Sequence, residues 1–471
     1  MGELDKRLVQ IIPDERQLKH QQLEFYSFVH FTQNTFTDKE WGDGTESPAN
    51  FNPQKLNPHQ WVEAITAAGM KGLILTCKHH DGFCLWPSQY TNHTVAFSPY
   101  KDGKGDIVKE VSDACKEAGI EFGVYLSPWD RNSKVYGQGK VYDDYMVHQL
   151  EELLSNYGDI FTVWFDGACG EGPNGKKQIY DWERYYEIIR RLQPNACIAV
   201  CGPDVRWCGN EAGDTRPSEW SVVPKRTRDT EKIAESSQNV DDECFRQRKI
   251  SAHDIDLGSR ELLEKENELI WYPAEVNTSI RPGWFYHSYE DDKVRPLSEL
   301  IKIYNNSVGG NATFLLNIPP NRDGLFHKND VKRLNELGNY LKKAYEKNLL
   351  ETAKLETDSC VPGYEIEHVR TDQYDSYYRT EDGITNSIIR IQWDEDVKIN
   401  HIVLKENIKL SQRIESFVVE TKIGDEYITI YQGTIVGYKK IIKLPAISTS
   451  NMRIRIKESR LAPTLSFIGV Y

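Results

Sequence analysis

Several apolar runs in this chain end abruptly in residues that can do chemistry. The run "KGLILTCKHH" (71–80) closes on His79 and His80, with Asp81 next. "EFGVYLSPWD" (121–130) ends with Tyr125, Trp129 and Asp130, and "DIFTVWFDG" (159–167) carries Trp164 and Asp166 into a glycine. The first run, "FYSFVHFT" (25–32), holds His30, and the loop after it supplies Glu40 and Trp41 in "DKEWGDG". Farther on, "GPDVRWCGNEAGD" brings Arg206, Trp207 and Glu211, and "PAEVNTSIRPGWFYH" brings Glu275, Arg281, Trp284 and His287. Carboxylates can serve as nucleophile, acid or base; imidazoles can hold a metal or hydrogen-bond hydroxyls; indoles offer flat apolar faces. One polar residue at a strand end is usually a helix cap or half of an ion pair. So many at equivalent places need another explanation.

The elements that must position them come from periodicity. The runs read as strands over 25–32, 71–80, 121–130, 159–167, 196–202 and 312–320, with two more near 218–223 and 267–276. Between them lie helical patterns. "NPHQWVEAITAAG" (57–69) has Asn57 as its cap, Pro58 in its first turn and Gly69 as its stop. Further helices are predicted over 105–119, 142–158, 178–193 and 328–348, and 225–265 reads as a polar loop region. Near-continuous apolar strands alternating with helices predict an α/β fold with a parallel sheet covered by helices. About eight units fit a (β/α)8-like TIM barrel over 1–348. A doubly wound open sheet is the alternative, weakened because no GxGxxG follows the first strand. After about residue 350 the pattern turns to short alternating segments such as "SIIRIQW", "RIESFVVET" and "MRIRIKE". These predict an antiparallel β-sandwich over 349–471. In a barrel the active site lies at the C-terminal strand ends, so the groups above converge on one face.

Composition narrows the function. A chain of 471 residues has room for two domains, and a net charge of −13 argues against nucleic acid or an anionic membrane as partner. No apolar run reaches the length of a membrane-spanning helix. Nine cysteines without a CxxC pair or regular spacing argue against a disulfide framework; Cys77, Cys115, Cys197 and Cys201 sit in apolar runs and read as buried thiols. Aromatics make up 11%, with 11 Trp and 25 Tyr, which suits sugar-ring packing as well as ordinary cores. The start "MGELDKRLVQ" lacks a signal-peptide pattern, and the expectation is an extracytoplasmic location, periplasmic or secreted, with a leader already removed. The oligomeric state is not legible.

Three chemistries compete. His30, His79, His80 and Asp81 could bind a metal for hydrolysis. Adjacent histidines on a strand point to opposite faces, however, so His79 and His80 share a site only if the strand has ended. There is also no HExxH. A non-catalytic carbohydrate-binding barrel is the second reading. The third is glycosidic bond cleavage by two carboxylates, with Asp166 and Glu211 facing across one substrate.

Taken together, "VWFDG", "KHHDGF", the Glu-Trp pair of the first loop and "GVYLSPWD" resemble glycoside hydrolase family 29, the retaining α-L-fucosidases. The resemblance covers most of residues 20–345. It implies Asp166 as nucleophile, His30, His79 and His80 as fucose-binding histidines, and Glu40, Trp41, Tyr125 and Trp164 as further substrate-binding residues. "RWCGNEAG" resembles the subgroup restricted to branched α1,3/α1,4-fucosides, which implies Glu211 as acid/base. Glu275 is its rival, in a segment that resembles one lining that subgroup's substrate site together with Trp284; Arg206 is placed with them. The implied partner is a fucosylated oligosaccharide or glycoconjugate, with no cofactor and no metal. A broad-specificity α-L-fucosidase is the alternative activity. The C-terminal part resembles a discoidin-like sandwich, a common carbohydrate-binding appendage.

Overall fold

The structure, a computed structural model, describes residues 2–237 and 255–471. Part of the predicted loop region 225–265 therefore lies outside the described residues. Eight parallel strands form the first sheet: β1 (Phe25–Val29), β2 (Gly72–Lys78), β3 (Glu121–Leu126), β4 (Thr162–Phe165), β5 (Cys197–Val200), β6 (Arg206–Trp207), then, beyond a two-stranded ribbon of β7 (Val222–Pro224) and β8 (Leu269–Trp271), β9 (Ala274–Ser279) and β10 (Ala312–Asn317). The sheet order is β5-β4-β3-β2-β1-β10-β9-β6. Its edges meet through a parallel bridge between Ala199 and Val205, so the sheet closes into the expected (β/α)8 barrel. Most of these strands are buried along their whole length, as a parallel sheet under helices requires.

Helices Pro58–Ala67, Ile107–Ala118, Lys140–Asn156, Trp182–Leu192, Leu297–Ser307 and Lys328–Ala344 belong to the barrel's α layer. Their ends follow local chemistry. Asn57 and Asp106 accept hydrogen bonds from the third-position amides, Pro58 occupies the first turn, and Gly119 takes the left-handed conformation that closes its helix. Three sequence expectations change. The described parts of the predicted loop region 225–265 hold helices Thr230–Ser237 and Arg260–Leu263. The stretch 218–223 contributes to the antiparallel β7–β8 ribbon, not to the barrel, and 267–276 splits between that ribbon and β9. The sixth barrel strand is instead the two-residue β6, held in parallel register against Ala274 and Glu275.

The C-terminal region is the expected antiparallel sandwich: β11 (Lys354–Thr357), β12 (Tyr378–Arg379), β13 (Ser387–Glu406), β14 (Ile414–Ile423), β15 (Glu426–Gly433), β16 (Lys440–Ser459) and β17 (Thr464–Val470). Its order is β12-β17-β13-β16-β14-β15, with β11 on β13. β13 and β16 run for 20 residues each, and register shifts interrupt their pairing. It has its own core, around Ile389, Trp393, Phe417 and Ile454. Glu24 of the barrel joins it through Lys439 (2.7 Å) and the Tyr438 hydroxyl (2.8 Å). Among the described residues no helix is long and apolar enough to cross a membrane.

Candidate active site

At the C-terminal end of the barrel, a cleft is lined by Phe28, His30, Trp41, His79, His80, Trp164, Asp166, Ala168, Glu211, Ser237, Asn277 and Trp284. Asp166 follows β4 directly and is 21% exposed at its side chain. Its two oxygens each have one protein donor: the Tyr125 hydroxyl to Oδ2 (2.9 Å) and the Ala168 amide to Oδ1 (2.8 Å). Burial and the neighbouring Asp166 push the Tyr125 phenol well above its usual range, so it stays a donor. The Gly167 position opens room for a helix. A Cβ there would collide with Ser237 Oγ and lie 3.1 Å from Ile233 Cγ2, so helix Thr230–Ser237 closes over the turn after Asp166.

His79 and His80 both line the cleft because β2 has ended at Lys78, which frees them from strand alternation. Their rings are 4.1 Å apart. His80 Nδ1 meets Ser127 Oγ at 2.7 Å and its Nε2 lies 3.9 Å from Asp166 Oδ2. His30 Nδ1 is fixed by Asn317 Oδ1 at 2.8 Å. Burial pulls all three imidazoles down, His30 to about 3, His80 to about 4 and His79 well below normal. They are uncharged at neutral pH, each with one nitrogen able to donate or accept toward a hydroxyl. Trp41 stands edge-on to His80 (5.4 Å) and Trp129 (5.7 Å), making one wall.

Glu211 reaches the cleft through a braced turn. Asn210 is buried, and its Oδ1 accepts the amides of Ala212 (3.0 Å) and Asp214 (3.1 Å) while its Nδ2 donates to the Asp214 carbonyl (3.0 Å). Arg216 ties the loop start through the Cys208 carbonyl (2.7 Å). An Asn side chain closing its own turn explains the residue type before Glu211.

Four sequence candidates lie outside the cleft lining. Glu40 does not line the cleft: it accepts the amides of Trp284 (2.8 Å) and Phe285 (3.0 Å) and His287 Nε2 (2.8 Å), and so anchors the loop that carries Trp284. Arg206 is buried against Glu219 (2.6 Å) and the carbonyls of Tyr272 and Trp220. Glu275 is 0% exposed beneath Trp164, whose Nε1 donates to it at 2.7 Å. Its β-strand position explains this: it is the second residue of β9, near the bottom of the barrel, and not at the strand end. Tyr125 sits behind Asp166, and Trp207 donates to Asn277 Oδ1 (3.0 Å), fixing that amide at the cleft. Asn277 and Asn317 join the site without having been singled out in the sequence: Asn277 lies in the polar strand Ala274–Ser279 among Glu275, Thr278 and Ser279, and Asn317 closes β10 after three apolar residues.

His79, His80 and Asp166 each offer one atom within 4.8 Å of the others. The donor types suit a metal, but His80 Nε2 and Asp166 Oδ2 stand 3.9 Å apart, wider than the ~3.3 Å between ligands around a tetrahedral zinc at ~2.0 Å.

Residues 14–346 match the family described as Alpha-L-fucosidase. Alpha-L-fucosidase 1 of Arabidopsis thaliana is 37% identical over 98% of this chain and 87% of its own length. Among solved structures, a glycoside hydrolase 29 family member from an unknown rumen bacterium is similar with TM-score 0.81 and 35% identity, covering 98% of this chain and 77% of that one. A Ruminococcus gnavus glycoside hydrolase family 29 fucosidase in complex with fucose is similar with TM-score 0.84 and 28% identity, covering 98% of this chain and 95% of that one.

Proposed function

This chain belongs to the α-L-fucosidase family, a family of glycoside hydrolases, and on that premise we propose that it removes terminal α1,3- or α1,4-linked fucose from branched glycans by a retaining double displacement. In this reading Asp166 attacks the anomeric carbon and Glu211 protonates the departing oxygen. The fucosyl-enzyme ester is then hydrolysed by a water that Glu211 deprotonates, which returns both carboxyls to their starting states. His30, His79 and His80, being neutral, hydrogen-bond the fucose hydroxyls, and Trp41, Trp164 and Trp284 enclose the ring. The observation that carries the reading is that Asp166 and Glu211 border one cleft together with these three histidines.

The linkage preference rests on the resemblance of "RWCGNEAG" and "SIRPGWFYH" to the branched-substrate subgroup, supported by the position of Trp284 at the cleft. Tyr125 has a defined part. By holding Asp166 Oδ2 it orients the carboxylate, and its hydroxyl stays in place as the charge leaves Asp166 in the transition state.

The test is stereochemical. Proton NMR of early product should show α-L-fucose before mutarotation. Asp166→Gly should lose nearly all turnover, and azide should restore part of it as a glycosyl azide of inverted configuration. Early release of β-L-fucose, or full activity in Asp166→Gly, would overturn the assignment.

A further inference from the structure

Below the cleft, a line of polar groups crosses the otherwise apolar interior of the barrel. Glu275 Oε1 accepts the Trp164 indole N–H at 2.7 Å, and Oε2 accepts the Tyr26 hydroxyl at 2.5 Å. The Tyr26 oxygen also meets Thr313 Oγ1 (2.9 Å) and His20 Nε2 (3.2 Å). Glu275, Tyr26 and Thr313 are each 0–1% exposed, and His20 is 3% exposed. Among the described residues no lysine, arginine or histidine makes an ion pair with Glu275. A carboxyl buried without a counter-charge is costly, and a leucine would fill the same space. Burial pushes this carboxyl up to about 7, an effect that the two hydrogen bonds only moderate.

What the group does is visible on its other side. Trp164 spans from the buried carboxyl to the cleft, where its ring stacks on Tyr125 with centroids 5.4 Å apart and planes at 22°, and stands edge-on to Phe28 at 5.0 Å. Tyr125 in turn donates to Asp166. We infer that Glu275 is a positioning residue: by holding the Trp164 indole N–H from below, it sets the tilt of the cleft floor and of the Tyr125 hydroxyl that orients Asp166. Glu275 touches neither substrate nor reacting atoms. The carboxyl suits this task in either protonation state. As carboxylate it accepts from both Trp164 and Tyr26. As acid it keeps Oε1 for Trp164 while Oε2–H donates to the Tyr26 oxygen, which passes its own proton toward Thr313 or His20. This inference rests on Asp166 as nucleophile, which the azide experiment tests separately.

Three variants of the full chain test it. Glu275→Gln keeps an acceptor for the indole and should retain kcat/KM within about fivefold. Glu275→Leu leaves that N–H unpaired and frees the indole and Tyr125 to shift, and a misplacement of about 1 Å at the reacting groups can cost roughly 100-fold in kcat/KM. Trp164→Phe removes the N–H itself. If Glu275 acts through Trp164, the Leu/Phe double variant is no worse than about the poorer single variant. The second readout needs only the milder variants. In a ¹⁵N-tryptophan spectrum, the indole resonance that Trp164→Phe removes should be the one that Glu275→Gln shifts. Wild-type activity in Glu275→Leu, multiplicative losses in the double variant, or an unmoved Trp164 resonance in Glu275→Gln would each overturn the inference. So would a Glu275→Gln loss on natural glycans that is spared on substrates with good leaving groups, because that is the signature of an acid/base contacting the glycosidic oxygen.

Discussion

Replacing Glu40 by glutamine tests whether this carboxylate holds a loop or grips the sugar. Its two oxygens accept three donors: the amides of Trp284 and Phe285 and the imidazole of His287, which also donates to Asp38 at 2.7 Å. A Cβ on Gly283 would fall 2.5 Å from Glu40 Oε1, so the loop is drawn against the carboxylate as closely as a glycine permits. Burial pulls the His287 imidazolium down, but the hydrogen bonds to Glu40 and Asp38 outweigh it and lift it to about 9. Its folded value lies above the ordinary 6.5. The stabilisation is therefore fully present below about pH 6.5 and lost as the pH rises through about 9, for a total of about 3 kcal/mol. Glutamine keeps one acceptor oxygen but no charge. One charge-assisted bond and the attraction to the imidazolium disappear, for about 2–4 kcal/mol. Unfolding by denaturant at pH 7 should register that loss, and the alkaline fall in stability should weaken. Because Trp284 rides on the loop, kcat/KM for a branched trisaccharide should fall by roughly 10- to 100-fold. A variant with unchanged stability across pH 6–10 and a pure loss of fucose affinity would refute the anchoring argument and return Glu40 to the sugar.

Other expectations follow from the same geometry. Glu211→Ala should slow natural glycans by roughly 10²–10⁴ while sparing nitrophenyl α-L-fucoside, measured as the ratio of kcat/KM values; equal losses on both would remove Glu211 from the acid/base role. Lewis a and Lewis x trisaccharides should be cleaved much faster than an α1,2-linked fucosyl-galactose, because binding of the remote galactose can be expressed in kcat. Comparable kcat/KM values would defeat the linkage proposal alone. The folded values of His30 and His80 lie below the ordinary one, so their contribution is present above about pH 6.5 and lost as pH falls toward about 3–4; urea titrations at pH 7 and pH 5 should show the difference, and an identical midpoint would contradict neutral buried histidines. Activity should survive chelation, with elemental analysis finding no stoichiometric metal; zinc whose removal abolishes turnover would make the His79–His80–Asp166 cluster its site.

The alternation of buried strand and amphipathic helix is legible in the order of residues alone. Parallel strands covered on both faces must be apolar throughout, and caps such as Asn57 with Pro58 mark helix starts locally. The residue order also determined which residues close the strands, and hence most of the cleft, from His30 to Asp166. It did not determine β6, because two residues carry no periodicity and their place is set by hydrogen bonding to β9 and the bridge that closes the barrel. Periodicity left open whether His79 and His80 turn into one site, since that depends on β2 ending at Lys78; only the family resemblance placed both there. Tertiary structure alone sorted chemically equivalent side chains by depth and partners. Glu211 stands at the cleft on a turn closed by Asn210, Glu40 is taken up by two amides and an imidazole, Arg206 by Glu219, and Glu275 by Trp164 and Tyr26. A residue type states what a group can do. For Glu40 and Glu275 the deciding contacts lie more than a hundred residues away in the chain and form only when the barrel closes.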